Sequence, residues 1–393
     1  MIVLKFPATM HQGIAMSKIY TAIGLMSGTS MDGIDLAIIT TDGEDLVERE
    51  RLDVFHYAFS SSDREVFKKA LMEAVGLEDK FDRSGWVATA EQIITEKHID
   101  FVVSNILAFA NNPQWGLDAS KIGLIGFHGQ TVLHRPKQAM TVQLGDCQAL
   151  ANAVNIPVVG DFRQSDMVAG GQGAPLVPIY HQALVKQAGL ELPVALLNVG
   201  GVANVTYIGQ NGELIAFDTG PGNALINDWV SQHGAGEMDE GGKLAAQGRV
   251  NESVLAALLD NPYFSQDLPK SLDRNHFSLA PLEGMSLEGG AMTLTSFTAL
   301  AVSRADVFFP APPKRWIICG GGVRNAVLMT EFQKHLSGEV LEAGELGWSS
   351  DYMEAEAFAY LAVRSLRGLP LTFPGTTGVV EPLTGGVLHK PQG

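Results

Sequence analysis

Apolar and polar positions follow the same plan at two places in this chain. Ile23–Asp45 reads IGLMSGTSMDGIDLAIITTDGED: an apolar run, a Gly/Ser/Thr turn, an alternating strand, then an Asp-Gly turn. Leu196–Asp218 reads LLNVGGVANVTYIGQNGELIAFD: an apolar run, a glycine-rich turn, an alternating strand, then an Asn-Gly turn into a third strand. Alternation marks half-buried strands, and Asp-Gly or Asn-Gly marks the hairpins that join them.

The rest of each half extends the pattern. Strands are predicted at about Ile19–Met26, Ile34–Thr40 and Leu46–Tyr57. A helix follows with Ile99, Val102, Val103, Ile106 and Phe109 on one face. Ile122–Phe127 reads as a short buried strand ending at HGQT, followed by a polar hairpin. A helix at about Cys147–Val154, a strand at Ile156–Val159 and a helix beyond Pro178 complete the half. In the second half three strands span about Val194–Phe217, and helices lie between Ala224 and Val307. A strand at Trp316–Cys319, a helix through Phe332, a strand at Val340–Leu341 and an apolar helix at Met353–Leu366 follow. The order β-β-β-α-β-α-β-α thus arises twice, which predicts an α/β protein of two mixed sheets with helices on their faces and a ligand cleft between them. The expected domains are residues 19–190 and 191–393, with the C-terminal tail packing back on the first. Residues 1–18, with methionines at 10 and 16, are expected to be a disordered extension or an over-long start.

Composition narrows the function. The 393 residues suit two domains at ~100–200 residues each, and 46% are apolar, enough for two cores. The net charge is −16, and the 27 Lys and Arg are scattered. A nucleic-acid binder needs a basic footprint to displace counterions, so nucleic acid is excluded as a partner. The two cysteines, Cys147 and Cys319, give neither a disulfide framework nor a cysteine zinc site and suit a reducing cytoplasm. No apolar run reaches the ~20 residues of a membrane span, so no membrane partner is expected.

The glycines, 43 in all, cluster in short loops. In SGTSMDG (Ser27–Gly33) they let backbone N–H groups approach an anion, the hydroxyls add donors, and Asp32 is a candidate to hold magnesium through water. A plain hairpin turn is the competing reading. NVGGVAN (Asn198–Asn204) is its counterpart, and ICGGGVRN (Ile318–Asn325) is a strand, three glycines and a helix start, which suits a nucleotide. Neither a P-loop nor a GxGxxG signature is present. FDTGPGN (Phe217–Asn223) sets Asp218 at a strand end as a candidate general base, against a capping role. GFHGQT presents His128 and Gln130 for polyol recognition. DFRQSDMVAGGQGAPLVP carries Asp161, Arg163 and Asp166; Arg163 either forks onto a carboxylate or phosphate or closes an Asp–Arg ion pair. Glu354, at the start of the last helix, faces nucleotide or magnesium, or compensates the helix dipole.

Taken in order, GLMSGTSMDGID, GFHGQT, DFRQSDMVAGGQGAPLVP, LLNVGG, FDTGPGN, ICGGGVRN and MEAEAFAYLA resemble the 1,6-anhydro-N-acetylmuramic acid kinase family, from about Tyr20 to Leu388. That family belongs to the sugar kinase/Hsp70/actin superfamily, so the resemblance implies two ribonuclease-H-like domains flanking a nucleotide cleft. It also implies the reaction: ATP phosphorylates the 6-oxygen while water opens the 1,6-anhydro bridge, giving N-acetylmuramic acid 6-phosphate and ADP. The setting implied is peptidoglycan recycling in the bacterial cytoplasm. Asp218 matches the catalytic aspartate. Gly28, Thr29, Ser30, Met31, Asp32, Gly33, Ile34 and Asp35 match the first ATP phosphate loop, with Mg2+ near Asp32. Gly200 and Gly201 match the second loop; Gly320, Gly321, Gly322 and Asn325 match the adenosine side, with Glu354 nearby. His128, Gln130 and Arg163 fall in segments lining the sugar pocket, and Asp161, Gly220 and Asn223 are further substrate candidates. The rival readings are a kinase for another anhydrosugar such as levoglucosan or for a hexose, and an actin- or Hsp70-like ATPase. A homodimer is left open.

Overall fold

The computed structural model describes residues 18–28, 30–47, 53–111 and 121–392. The expectations placed on residues 1–17, and on Thr29 in the first glycine turn, lie outside them.

Strands β1 (Tyr20–Ser27), β2 (Gly33–Thr41) and β3 (Asp53–Ala58) form an antiparallel meander. Of the third strand expected at Leu46–Tyr57, residues 48–52 lie outside the described residues, and Asp53–Ala58 is a strand. Leu46 meets Thr41 in an isolated bridge, and Thr41 Oγ1 donates to the Asp45 carbonyl at 2.6 Å to close the turn. Two helices follow, α1 (Ser61–Ala74) and α2 (Gly85–Asn111). The sequence pattern missed α1, which begins with a reciprocal capping box between Ser60 and Asp63. Next come β4 (Ile122–Arg135), β5 (Met140–Leu144), α3 (Cys147–Val154), β6 (Val158–Gly160), α4 (Gln164–Val168) and α5 (Pro178–Gln187). The expected short strand at 122–127 in fact runs straight on through HGQT. It bends at Gly129, whose φ is 73°, and pairs antiparallel with β5.

The second meander is β7 (Val194–Val199), β8 (Val202–Ile208) and β9 (Leu214–Pro221). Helices α6 (Ala224–Gln232), α7 (Glu252–Leu259) and α8 (Leu287–Ser303) precede β10 (Arg315–Cys319). Then come α9 (Ala326–His335), β11 (Glu339–Glu342), α10 (Met353–Leu366), α11 (Pro374–Thr377) and β12 (Val387–His389). The sheets have matching orders, β3-β2-β1-β4-β6 and β9-β8-β7-β10-β11. In each, a meander continues into parallel strands. The first sheet also gains β5 on β4 and β12 on the outer side of β6.

Two helices change sides. The α10 helix, from the end of the chain, lies on β1, β2 and β4 of the first sheet, while α5 lies on β8 and β9 of the second. Close approach depends on Gly24 and Gly126, neighbours in the parallel β1–β4 register. A Cβ on Gly24 would overlap the Ala355 carbonyl, and one on Gly126 the Phe358 carbonyl. One apolar cluster therefore runs from Ala22 and Leu124 through Phe358 and Tyr180 to Leu196 and Ile208, joining the sheets. Where the two helices meet, Tyr180 Oη donates to buried Glu356 at 2.8 Å.

Candidate active site

A cavity of about 490 Å3 opens between the two sheets. Asp35 and Arg163 reach it from the first half, and Asn198, Asn204, Asp218 and Gly320 from the second. Glu354, at the first turn of α10, completes the wall.

Asp218 sits inside β9, not at its end. The β8–β9 register shifts between Ala203 and Asn204, which oppose Gly220 and Asp218, so Thr219 forms a bulge beside Asp218. A bulge twists the strand and re-aims the neighbouring side chain. The carboxylate accepts the Leu272 N–H at 2.7 Å. Burial raises its pKa to about 6, against the lowering effect of that one hydrogen bond. A carboxylate so tuned is ionised at neutral pH and still basic enough to take a proton.

Across the cavity, Arg163 is aimed by two fixed acceptors. Nη1 donates to the Gly173 carbonyl at 2.7 Å and Nη2 to His128 Nε2 at 2.8 Å. Because Nε2 accepts, the neutral imidazole carries its proton on Nδ1, and burial with the adjacent guanidinium keeps its pKa well below the usual value. Burial lowers Arg163 itself to about 10, opposed by Glu354 and Asp166. Arg163 makes no ion pair with Asp161, which instead faces Lys80 at 3.9 Å in a separate pocket. Gln130 is spent on the first glycine turn: Oε1 accepts from Ser27 Oγ at 2.6 Å, and Nε2 donates to the Gly28 carbonyl at 2.9 Å. As placed here, His128 and Gln130 brace neighbouring groups, and Asp161 lies away from the cavity.

The glycine loops flank the cavity, following directly on wall residues Met26, Asn198 and Cys319. In the first, Met31 takes a φ of 54°, Ser30 Oγ donates to Asp32 at 2.6 Å, and Asp32 is exposed. Gly33 and Ile34 are buried at the start of β2. In the second, the Gly222 and Asn223 N–H groups donate to the Gly201 and Gly200 carbonyls at 2.9 and 2.8 Å. Asn223 Nδ2 adds a bond to Val199 O at 3.2 Å. Gly220 admits α8, since a Cβ there would lie 2.9 Å from Ala301 Cβ. In the third loop Gly320 faces the cavity, Gly321 is open to solvent and Gly322 packs on Val199. Asn325 caps α9 by accepting the Leu328 N–H at 3.0 Å.

The carboxylate facing the cavity from the first loop's strand is Asp35, whereas Asp32 lies on the outer turn. Burial raises Asp35, and a 2.8 Å hydrogen bond with His56 opposes it. Glu354 is exposed at the cavity's edge, yet desolvation by the surrounding walls raises it; Arg163 opposes and Asp35 adds to the rise. Among the described residues no three His, Cys, Asp or Glu side chains converge as a metal site. Magnesium usually takes one or two carboxylates together with substrate phosphates and water, so Asp35 and Glu354 suit an ion that arrives with a nucleotide.

Asn198, Asn204 and Lys270 of the wall were not assigned from sequence. Asn198 pairs with Asn204, and Asn204 with Asp218, so three polar side chains form a row across mostly apolar strands. Those interruptions were a readable signal. Lys270 had none, because the rings around it come from Phe217, Tyr263 and Phe308.

The family profile and the sequence relatives agree on one family. The profile of anhydro-N-acetylmuramic acid kinase matches residues 20–391. A relative of that name from Methylobacterium nodulans is 52% identical over 378 residues, covering 94% of this chain and 100% of its own. Another from Rhodopseudomonas palustris is 47% identical over 373 residues, covering 94% and 99%. Among solved structures, a ROK family glucokinase from Streptomyces griseus, in complex with glucose and AMPPNP, is 13% identical over 87% of this chain and 99% of its own, at a TM-score of 0.36. With a match of this length and identity, the chain belongs to the anhydro-N-acetylmuramic acid kinase family.

Proposed function

We propose that this enzyme uses ATP and water to convert 1,6-anhydro-N-acetylmuramic acid into N-acetylmuramic acid 6-phosphate and ADP. The observation that carries the reading is Asp218, a carboxylate shifted to about 6 and fixed beside a bulge in the cavity wall. The sugar's 6-oxygen is held in an internal acetal and is not a free hydroxyl. Asp218 takes a proton from water as that water's oxygen bonds to the anomeric carbon. The bond from the anomeric carbon to the 6-oxygen breaks, and the released oxygen attacks the γ-phosphorus of ATP, expelling ADP.

Phosphoryl transfer then depends chiefly on positioning and charge neutralisation. The turns at Gly28–Gly33 and Gly200–Gly201 supply backbone donors for phosphates, and the Gly320–Gly322 loop takes the adenosine side. Asp35 and Glu354 would hold magnesium, which neutralises phosphate charge when bound. Arg163, held by His128 and Gly173, offers its remaining N–H groups to the lactyl carboxylate. The sugar is a product of cell-wall turnover, and the need for ATP places the reaction in the cytoplasm.

The test is ADP release from ATP and magnesium with 1,6-anhydro-N-acetylmuramic acid, N-acetylmuramic acid, levoglucosan, glucose or no sugar. Turnover with the anhydromuramic sugar alone, yielding a ring-opened 6-phosphate, is expected. Preference for levoglucosan would remove the lactyl role of Arg163, and a rate independent of sugar would overturn the reading.

A further inference from the structure

We propose that Tyr263 and Lys270 are positioning residues for Asp218, acting through a closed ring of three hydrogen bonds to main-chain carbonyls. Tyr263 Oη donates to the Asp218 carbonyl at 2.5 Å. The Asp218 N–H donates to the Lys270 carbonyl at 3.4 Å. Lys270 Nζ closes the ring by donating to the Tyr263 carbonyl at 3.4 Å. None of the three acts on a reacting atom. Together they hold the backbone of Asp218 at both its N–H and its C=O.

The need for such a device follows from the bulge. Beside Thr219 the β8–β9 ladder loses its regular pairing, and Asp218 sits at that break. A base whose backbone can rock loses its aim at the water it must deprotonate. The ring, together with the Leu272 N–H on the carboxylate at 2.7 Å, restores the lost constraint from the 262–272 segment. The ammonium of Lys270 is the informative part. It is 9% exposed, with the Phe308, Tyr263 and Phe217 ring centroids at 4.2, 4.9 and 5.3 Å. Burial lowers its pKa to about 8. An apolar side chain of equal length would fill this cage without desolvating a charge. The charge fixes the Tyr263 carbonyl, and so the turn whose hydroxyl holds Asp218.

The inference rests on Asp218 being the base. The test is steady-state kinetics with ATP and 1,6-anhydro-N-acetylmuramic acid for Tyr263→Phe, Lys270→Met, the double variant and Asp218→Asn, with a thermal melt of each. Each single variant is expected to lower kcat about 10-fold while both KM values stay within about twofold. The double variant should lose no more than the worse single one, because both cut the same ring. Wild-type kcat in Tyr263→Phe, losses that multiply in the double variant, or losses confined to KM would overturn the inference. An active Asp218→Asn would instead sink the reading of the base itself. An inactive Asp218→Asn beside a fully active Tyr263→Phe would sink only the positioning role.

Discussion

The two strand–turn–strand units share a pattern, yet they are built to different stiffness. The first turn, at Gly28–Gly33, is exposed at Ser30 and Asp32; among the described residues it is held by the Gln130 side chain and by two backbone bonds, Met31 N–H to the Gly28 carbonyl at 3.1 Å and Phe59 N–H to the Asp32 carbonyl at 2.9 Å. The second, at Gly200–Gly201, is tied by backbone bonds from Gly222, Asn223 and Ala224. The carboxylates beyond the turns differ in the same sense. Asp35 keeps a histidine partner near the surface, whereas Asp218 is held by backbone at its carboxylate and N–H and by the Tyr263 hydroxyl at its C=O. On the proposed reading, the repeated strand order gives the phosphates a turn from each half and keeps the base on the half that is tied more tightly.

Asp218→Asn makes the largest break in this comparison. It should leave sugar binding intact by calorimetry and lower kcat on the order of 1,000-fold. With the native residue, kcat/KM should fall as pH drops below about 6, where Asp218 takes up a proton. Asp32→Asn, on the exposed turn, should change turnover by less than about 3-fold; a loss of decades would return the magnesium role to Asp32.

Next in size is a pair of glycine substitutions. A Cβ on Gly222 would overlap the Gly200 carbonyl, while at Gly28 the nearest atom would be Ser30 Oγ at 3.6 Å. Gly222→Ala should therefore lower the melting temperature by about 5 °C or more, and Gly28→Ala should leave it nearly unchanged. Equal effects would mean the two turns are equally constrained. Gln130→Leu removes the side-chain brace of the first turn and leaves its backbone bonds in place. It should raise the KM for ATP about 5-fold, with kcat at saturating ATP close to that of the native enzyme.

The smallest effect is expected between the two units. Burial raises Glu356 from 4.5 to about 7, opposed by the Tyr180 hydrogen bond. Its ionised form is thus disfavoured in the folded state, and the cost to stability builds as pH rises from about 4.5 and is fully present above about 7. Glu356→Gln should melt near the native temperature at pH 5 and above it at pH 8. A difference that is the same at both pH values would remove Glu356 as the titrating group.

The strand order was legible because apolar runs such as Ile34–Ile39 and Val194–Leu197 are bounded by glycine turns. The extent of β4 was not, since HGQT looks like a loop until β5 supplies its partners. Asp218 stood out as a carboxylate beside a glycine loop. Its anchors, Tyr263, Lys270 and Leu272, lie 45 to 54 residues away, and no local pattern joins them. The partners of Gln130 and Asn223 were equally hidden: a polar side chain next to a glycine loop reads as a ligand contact whether it faces substrate or buttresses the loop. A return of the C-terminal tail to the first half was expected, but the exchange of α5 and α10 as covering helices was not, for a simpler reason. An apolar helix face does not state which sheet it will cover.

That exchange constrains how the protein can be made. The chain emerges from the ribosome N-terminus first, at roughly 5–20 residues per second. Strands β1, β2 and β4 are complete by Arg135, but the helix that covers them ends at Leu366, and β12 closes the edge of β6 only at His389. The first sheet must therefore wait, on the order of ten seconds or more, with an apolar face open. A cut between residues 190 and 191 would leave each fragment without its covering helix, so neither fragment is expected to fold by itself, while mixing the two offers each its missing lid.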